Sequence, residues 1–257
     1  MIDQTMYPTE IEEILANAWP AIINQVIDGW HLRFSDGVTG RANSVWPMQA
    51  GNPARLTEKL ALVKRFYHGF NHPVQYRICT IPHQLELDTH LAGLGYAQIK
   101  PTDVQTVSLS TLLNKLTPNP NYACQLVEGF SPTWFESHCQ LEGYTGHVVE
   151  ARRSILQRIV PRSGYFSILV DGQPIAVGMT VLERGWIGLF SLFTHPDFRR
   201  QGVGQTLLHA LTQWGKQYGA QGIYLQVMEN NQEAQAFYRH LGFETLYRYS
   251  YRVDGGG

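Results

Sequence analysis

The run Leu192-Phe193-Thr194-His195-Pro196-Asp197-Phe198-Arg199-Arg200-Gln201-Gly202-Val203-Gly204-Gln205-Thr206-Leu207-Leu208 concentrates residue types that can hold an anion. It reads as a strand end, a loop with two glycines and the opening of a helix. N–H groups in the first turn of a helix have no intrahelical acceptor and sit at the positive end of the dipole, so they bind phosphate oxygens. Gly202 and Gly204 admit a phosphate without Cβ clash, and Arg199 and Arg200 add donors and charge suited to a diphosphate. Two familiar nucleotide loops are excluded. The Lys-Ser/Thr pair that ends G-x-x-x-x-G-K-[ST] is missing, and Leu207 stands where the third glycine of a dinucleotide fingerprint belongs. By itself the run also fits a plain glycine turn that opens an ordinary helix.

Its company narrows the choice. Arg199-x-x-Gly202-x-Gly204 is followed by Leu225-Gln-Val-Met-Glu-Asn-Asn231 and then by Ala234-x-x-Phe237-Tyr238-x-x-Leu241-Gly242-Phe243. In order and spacing this resembles the GCN5-related N-acetyltransferase superfamily, over roughly residues 122–253. The resemblance implies a mixed sheet whose fourth and fifth strands splay apart, with the pantetheine arm of acetyl-CoA lying in the gap. Unpaired backbone groups on separated strands suit a ligand that carries amides. It implies main-chain contacts to the co-substrate from Leu192, Phe193 and Thr194, a diphosphate wrap from Arg199, Arg200, Gln201, Gly202, Val203, Gly204 and Gln205, and an amide contact from Asn231. Tyr238 stands where the family places its general acid, and a backbone N–H near Leu192 would stabilise the oxyanion.

The implied activity is transfer of acetyl from acetyl-CoA to a primary amine, on a small molecule or a peptide, by direct attack in a ternary complex without a metal. The general base is less defined. Relatives that acetylate ribosomal-protein N-termini carry a glutamate where this chain has Gln226, and a glutamine cannot accept the amine proton. Glu229 is the first candidate; Glu142, His138, a water chain, or no base at all remain open. The departure at Gln226 also motivates the alternative of an acyl-CoA-binding sensor or scaffold without turnover. On the acceptor side the resemblance points to Pro132–Tyr144, a helix from about Val148 to Ile159, and Tyr247-Arg-Tyr-Ser-Tyr-Arg252. In the last, Tyr247, Tyr249 and Tyr251 share one face and either line a groove or pack beneath a neighbour.

The elements that must position these residues are readable. Phe166–Val170, the turn Asp171-Gly172 and Ile175–Leu182 predict a hairpin, and Glu183–Gly185 turns into a third strand, Trp186–Thr194. Gly204–Tyr218 has Leu207, Leu208, Leu211, Trp214 and Tyr218 at helical spacing; a strand at Ile223–Val227 and a helix at Gln232–Leu241, stopped by Gly242, follow. The first half predicts a helix at about Glu10–Trp19, a hairpin of Trp30–Phe34 with an extended run to Val45 around Ser35–Gly37, a helix at Leu56–Phe70 and strands at Val74–Thr80 and Val104–Leu109.

A constant shift of 147 positions, the spacing from Leu94 to Leu241, lays residues 29–99 over the second half without a gap. It brings Leu94-Gly95-Tyr96 onto Leu241-Gly242-Phe243 and Ser44 onto Ser191. The chain therefore reads as a tandem repeat: an α/β (α+β) fold of two acetyltransferase-like lobes, 1–117 and 118–257, joined at the turn-rich Thr117-Pro-Asn-Pro-Asn121. Under that shift the glycine loop becomes Asn52-Pro-Ala-Arg-Leu-Thr57, Asn231 becomes Gln84 and Tyr238 becomes Leu91. One acetyl-CoA site, in the second lobe, is expected, with the first lobe degenerate.

Composition agrees with a globular chain. Its 257 residues are 44% hydrophobic and 16% charged, enough to bury two cores. A net charge of −1 provides no field to draw the chain onto a polyanion, so nucleic acid is not expected as a partner. Three cysteines without C-x-x-C point to a reducing, cytoplasmic setting, and ten histidines without H-E-x-x-H imply no metal. The start Met1–Met6 has no basic segment followed by an apolar run, and no long apolar stretch follows, so neither export nor a membrane span is expected. Gly255–Gly257 reads as a flexible tail, and a homodimer is an open possibility.

Overall fold

A computed structural model describes residues 6–254; the readings of the first residues and of Gly255–Gly257 lie outside them. The chain divides into two compact units. One holds the chain up to Val104, Met228–Asn230 and the segment from Leu246 on; the other holds Gln105–Val227 and Asn231–Thr245. Each is a mixed, mostly antiparallel sheet flanked by helices.

In the first unit the order of elements is α1 (Pro8–Ala18), β1 (Ile23–Ile27), β2 (Trp30–Phe34), β3 (Val45–Pro47), α2 (Leu56–His68), β4 (Gln75–Cys79), α3 (Pro82–Gly93) and β5 (Ala97–Ser108), whose last residues belong to the second unit. The C-terminal strand β11 (Glu244–Val253) supplies the remaining member, pairing antiparallel with β4 from Tyr249↔Cys79 to Val253↔Gln75. Its alternation is satisfied here. Tyr247, Tyr249 and Tyr251 are all buried, so the groove-lining alternative for these three does not hold. Tyr247 donates its hydroxyl to Glu12, and Glu12 receives both Nε and Nη2 of Arg77 at 2.8 and 2.5 Å.

The first-half hairpin differs from its expectation. Strand β1 pairs with β2 through the two-residue turn Asp28-Gly29, both at positive φ (44° and 77°), the geometry that matches strand twist. The run after Ser35 is instead a 3₁₀ turn at Gly40–Ala42 before the short β3.

The second unit contains α4 (Leu109–Lys115), β6 (Cys124–Glu128), α5 (Pro132–Glu142), α6 (His147–Leu156), β7 (Arg162–Val170), β8 (Gln173–Glu183), β9 (Trp186–Thr194), α7 (Val203–Gln217), β10 (Gly222–Met228) and α8 (Gln232–His240). The strands run in the order β10-β9-β8-β7-β6, with β9/β10 parallel and the others antiparallel. Asp171-Gly172 and Arg184-Gly185 make the two hairpins, with φ of 51°, 76°, 50° and 75°. Helix α7 lies on the sheet through Leu207, Leu208, Leu211 and Trp214, all at most 2% exposed, packed among Phe166, Ile168, Ile187 and Ile223. Burial of four such side chains contributes roughly 6–12 kcal/mol before entropy, so α7 is fixed by packing. Tyr218, expected on this buried side, is 41% exposed and hydrogen-bonds Glu128 instead. Thr117 lies within this unit, and the backbone N–H groups of Thr117 and Asn119 donate to side chains on α7.

Candidate functional site

Strands β9 and β10 pair over three positions only: Trp186 with Gly222, Ile187 with Ile223 and Gly188 with Tyr224. Two features accompany the end of the pairing. The Tyr224 ring lies against Gly188, where a Cβ would come within 2.4 Å of the ring's Cζ and hydroxyl, so a larger residue there would push the ring aside. One strand further, β8 changes register: Val177 faces Phe193 while Met179 faces Phe190, so β9 holds one residue more than its partner. The extra residue is accommodated at Ser191, whose φ is 50°. A bulge of this kind bends its strand and strengthens the local twist. Further along β9, Leu192, Phe193 and Thr194 are half-buried and lie beyond the register shared with β10.

The glycine loop follows directly. After the 3₁₀ turn Pro196–Phe198, Arg199 donates Nε to the Thr194 carbonyl at 3.2 Å. Arg200 is left-handed at φ 62°, and Gly202, the N-cap of α7, at φ 82°. A glycine N-cap has no side chain to offer, and none caps α7, so the N–H groups of Val203, Gly204 and Gln205 begin the helix without a side-chain acceptor. A Cβ on Gly204 would lie 3.8 Å from Thr194 Oγ1 and 4.0 Å from Phe237 Cζ, which places the loop beside the end of β9 and beside α8. The side chains of Gln201 and Gln205 are turned away: Gln201 takes the Tyr122 hydroxyl at 3.0 Å and Gln205 the Thr117 N–H at 2.9 Å. Both side chains are thus engaged within the protein.

Tyr238 and Asn231 sit on the same unit. Asn231 is the N-cap of α8, its Oδ1 accepting from Ala234 N at 3.2 Å, which leaves the amide N–H₂ as its donor. The Tyr238 ring packs between Phe237 and Phe243 at 5.5 and 5.4 Å, and burial pushes its phenol up to about 12. The group is therefore a proton holder throughout the neutral range.

The base candidates are divided between α5 and the turn after β10. Glu229 falls in the first unit, donates its N–H to Pro101 and lies 3.6 Å from Arg248, which holds the buried Asp103 at 2.6 Å. His138 is 1% exposed on α5, stacked on Trp134 at 5.1 Å and edge-on to Tyr144 at 5.5 Å. Burial, helped by the Arg152 charge, lowers its imidazole to about 4, so it is neutral and weakly basic at neutral pH. Glu142 is half-buried at the end of α5.

The first unit shows what the corresponding place looks like without a loop. There β3 and β4 stay in contact at Val45↔Tyr76, and Gln84 joins them further along, donating Nε2 to Pro47 O at 2.8 Å and accepting Cys79 N–H at 2.7 Å. Asn52–Arg55 is a capped 3₁₀ turn, and Leu91 is buried in the core. The positions that the 147-residue shift sets against Gly202, Gly204 and Tyr238 are Arg55, Thr57 and Leu91. The 147-position shift, which sets Gln84 where the second half has Asn231, is the sequence signal that points to this bridge.

The family described as "Probable histone acetyltransferase Rv0428c C-terminal" matches residues 9–252. The chain belongs to this family. With it the chain is a member of the GCN5-related N-acetyltransferase superfamily and an acyltransferase. It is 28% identical over 247 residues to the uncharacterized N-acetyltransferase YobR of Bacillus subtilis, covering 95% of this chain and 97% of that one. Among solved structures, a GCN5-related N-acetyltransferase from Kribbella flavida superposes with TM-score 0.73 at 18% identity over 98% of both chains. A tandem GNAT protein from the clavulanic acid biosynthesis pathway does so with TM-score 0.69 at 14% identity, over 97% of this acyltransferase and 89% of that chain. Among the described residues no helix is long and apolar enough to cross a membrane, and no cluster of three or more His, Cys, Asp or Glu could hold a metal.

Proposed function

We propose that this acyltransferase moves acetyl from acetyl-CoA to a primary amine, on a small molecule or peptide, through one site built by β9, β10, α7 and α8. The observation that carries this reading is the end of β9/β10 pairing at Tyr224, beside a helix whose first-turn N–H groups have no side-chain acceptor. The residues fit the group. Leu192–Thr194 offer an amide-bearing arm main chain that lies beyond the β10 pairing, and Arg199, Arg200 and the N–H groups of Gly202–Gln205 suit a diphosphate. Bound acetyl-CoA supplies an activated acyl thioester.

The protein's part is positioning and one proton. The main-chain N–H at Leu192 steadies the negative charge that develops on the acyl oxygen when the amine nitrogen bonds to the acyl carbon. Tyr238 keeps its proton at neutral pH and donates it to the sulfur as the carbon–sulfur bond breaks. With Gln226 on β10, Glu229 paired to Arg248 and His138 weakly basic, the amine proton passes to solvent or the amine enters neutral.

A second reading, acyl-CoA binding without turnover, draws on Gln226 alone. The two separate on one assay: free CoA thiol released from acetyl-CoA in the presence of amines and N-terminal peptides. Amine-dependent release supports transfer, and its absence with every amine, despite acetyl-CoA binding, supports the sensor.

A further inference from the structure

The segment from Thr117 to Tyr122 has the composition of a linker, yet it makes a dense set of hydrogen bonds to the loop that opens α7. Thr117 N–H donates to Gln205 Oε1 at 2.9 Å, and Asn119 N–H to Thr206 Oγ1 at 2.8 Å. Asn119 Nδ2 donates to the Gln201 carbonyl at 2.9 Å, and the Tyr122 hydroxyl to Gln201 Oε1 at 3.0 Å. The Asn119 amide is oriented from its other end too, since Oδ1 accepts the Asn121 N–H at 3.0 Å. Gln201 extends the chain of contacts by donating Nε2 to the Asp197 carbonyl at 2.8 Å. The backbone either side of Gln201 is the costly part of the loop, with Arg200 at φ 62° and Gly202 at φ 82°. A left-handed non-glycine residue persists only where its surroundings over-determine it.

We propose that Asn119 and Tyr122 are positioning residues: they clamp Gln201 from its carbonyl and its side chain, and so preset the N–H groups of Gly202–Gln205 for the diphosphate of the acyl donor. The proposal rests on the reading that this loop takes the diphosphate. The contact on Gly202 is direct, because a Cβ there would stand 3.0 Å from Asn119 Cβ. With φ at 82° and Asn119 this close, the N-cap position favours glycine, which is also the residue that leaves the helix N-terminus without a side-chain cap. Presetting matters because donors fixed before binding avoid the ordering cost that a mobile loop incurs on association.

The test uses the full chain and two acyl donors, acetyl-CoA and S-acetylpantetheine, which keeps the thioester arm and lacks the diphosphate. For Asn119→Ala and for Tyr122→Phe, the clamp predicts a KM for acetyl-CoA and a Kd for CoA raised by about tenfold, kcat preserved, and kcat/KM for S-acetylpantetheine unchanged. Tyr122→Phe removes one hydroxyl from a half-buried ring and keeps the rest, so it reports the clamp even where Asn119→Ala unfolds. Unchanged CoA affinity in Tyr122→Phe, or an equal loss with both donors, overturns the proposal. Failure of the unsubstituted protein to bind CoA at all overturns the functional reading itself, and the clamp with it.

Discussion

Gln84 hydrogen-bonds Cys79 and Pro47 at once, at 2.7 and 2.8 Å, tying together two strands of the first unit. The side chain is 3% exposed and does for its neighbours what a bound amide would do for separated strands. Replacing it with alanine takes the acceptor from the buried Cys79 N–H and leaves the Pro47 carbonyl to His83 Nε2 at 3.2 Å, at a cost of about 1–3 kcal/mol. Chemical denaturation of Gln84→Ala checks this. CoA stoichiometry stays at its wild-type value, since no glycine loop accompanies the opened place.

The C-terminal strand completes the first unit through Tyr247, whose hydroxyl meets Glu12, itself paired to Arg77 with all three buried. Burial raises the Glu12 carboxyl, but the charge and hydrogen bonds of Arg77 and the Tyr247 hydroxyl outweigh it, leaving the group below its ordinary 4.5. A depressed carboxyl stabilises the fold fully above its unfolded value and loses that contribution as pH falls through the folded one. Glu12→Gln, which takes the buried counter-charge from Arg77, costs about 3–5 kcal/mol at pH 7 and flattens the acid limb of the stability profile. A wild-type acid limb in Glu12→Gln would contradict the assignment.

His138 makes a prediction of the same direction in a different window. Its imidazole is lowered to about 4 by burial, then by Arg152, against 6.5 for the ordinary group. The folded state therefore holds fewer protons than the unfolded one between these values. Stability is fully present above 6.5 and falls as pH drops toward 4, by on the order of 3 kcal/mol. His138→Phe, which keeps the stack on Trp134, removes that slope; thermal unfolding across pH 4–7 reads it.

Tyr238→Phe keeps the ring between Phe237 and Phe243 and deletes only the hydroxyl. Turnover at saturating acetyl-CoA and amine falls by about 10²-fold, the usual contribution of a general acid, while CoA affinity stays within twofold. An unchanged kcat removes Tyr238 from the chemistry.

Much of this molecule was legible in its residues, for local reasons. Asp171-Gly172 and Arg184-Gly185 specify tight hairpins by their conformational tolerance, and α7 declares itself by the spacing of Leu207, Leu211 and Trp214. Asp28-Gly29 carries the same signal, but the strand before it, Ile23–Ile27, has Asn24-Gln25 side by side and is mostly exposed, so it lacks the apolar alternation that marks a strand in sequence. What was not legible is pairing at a distance. Alternation in Tyr247–Arg252 tells which face is apolar, not that Tyr249 lies opposite Cys79. Thr117–Asn121 has turn composition whether it floats or clamps, and only the placement of Gln201, Gln205 and Thr206 decides. Glu229 was singled out by its place in a motif, which says nothing of Arg248 at 3.6 Å.

The most direct measurement is calorimetric titration of the purified chain with acetyl-CoA, reading affinity and stoichiometry together. One site per chain, lost in a variant that fills the loop such as Gly202→Val, is the predicted result. No binding, or two sites per chain, would contradict the account of a single co-substrate site between β9 and β10.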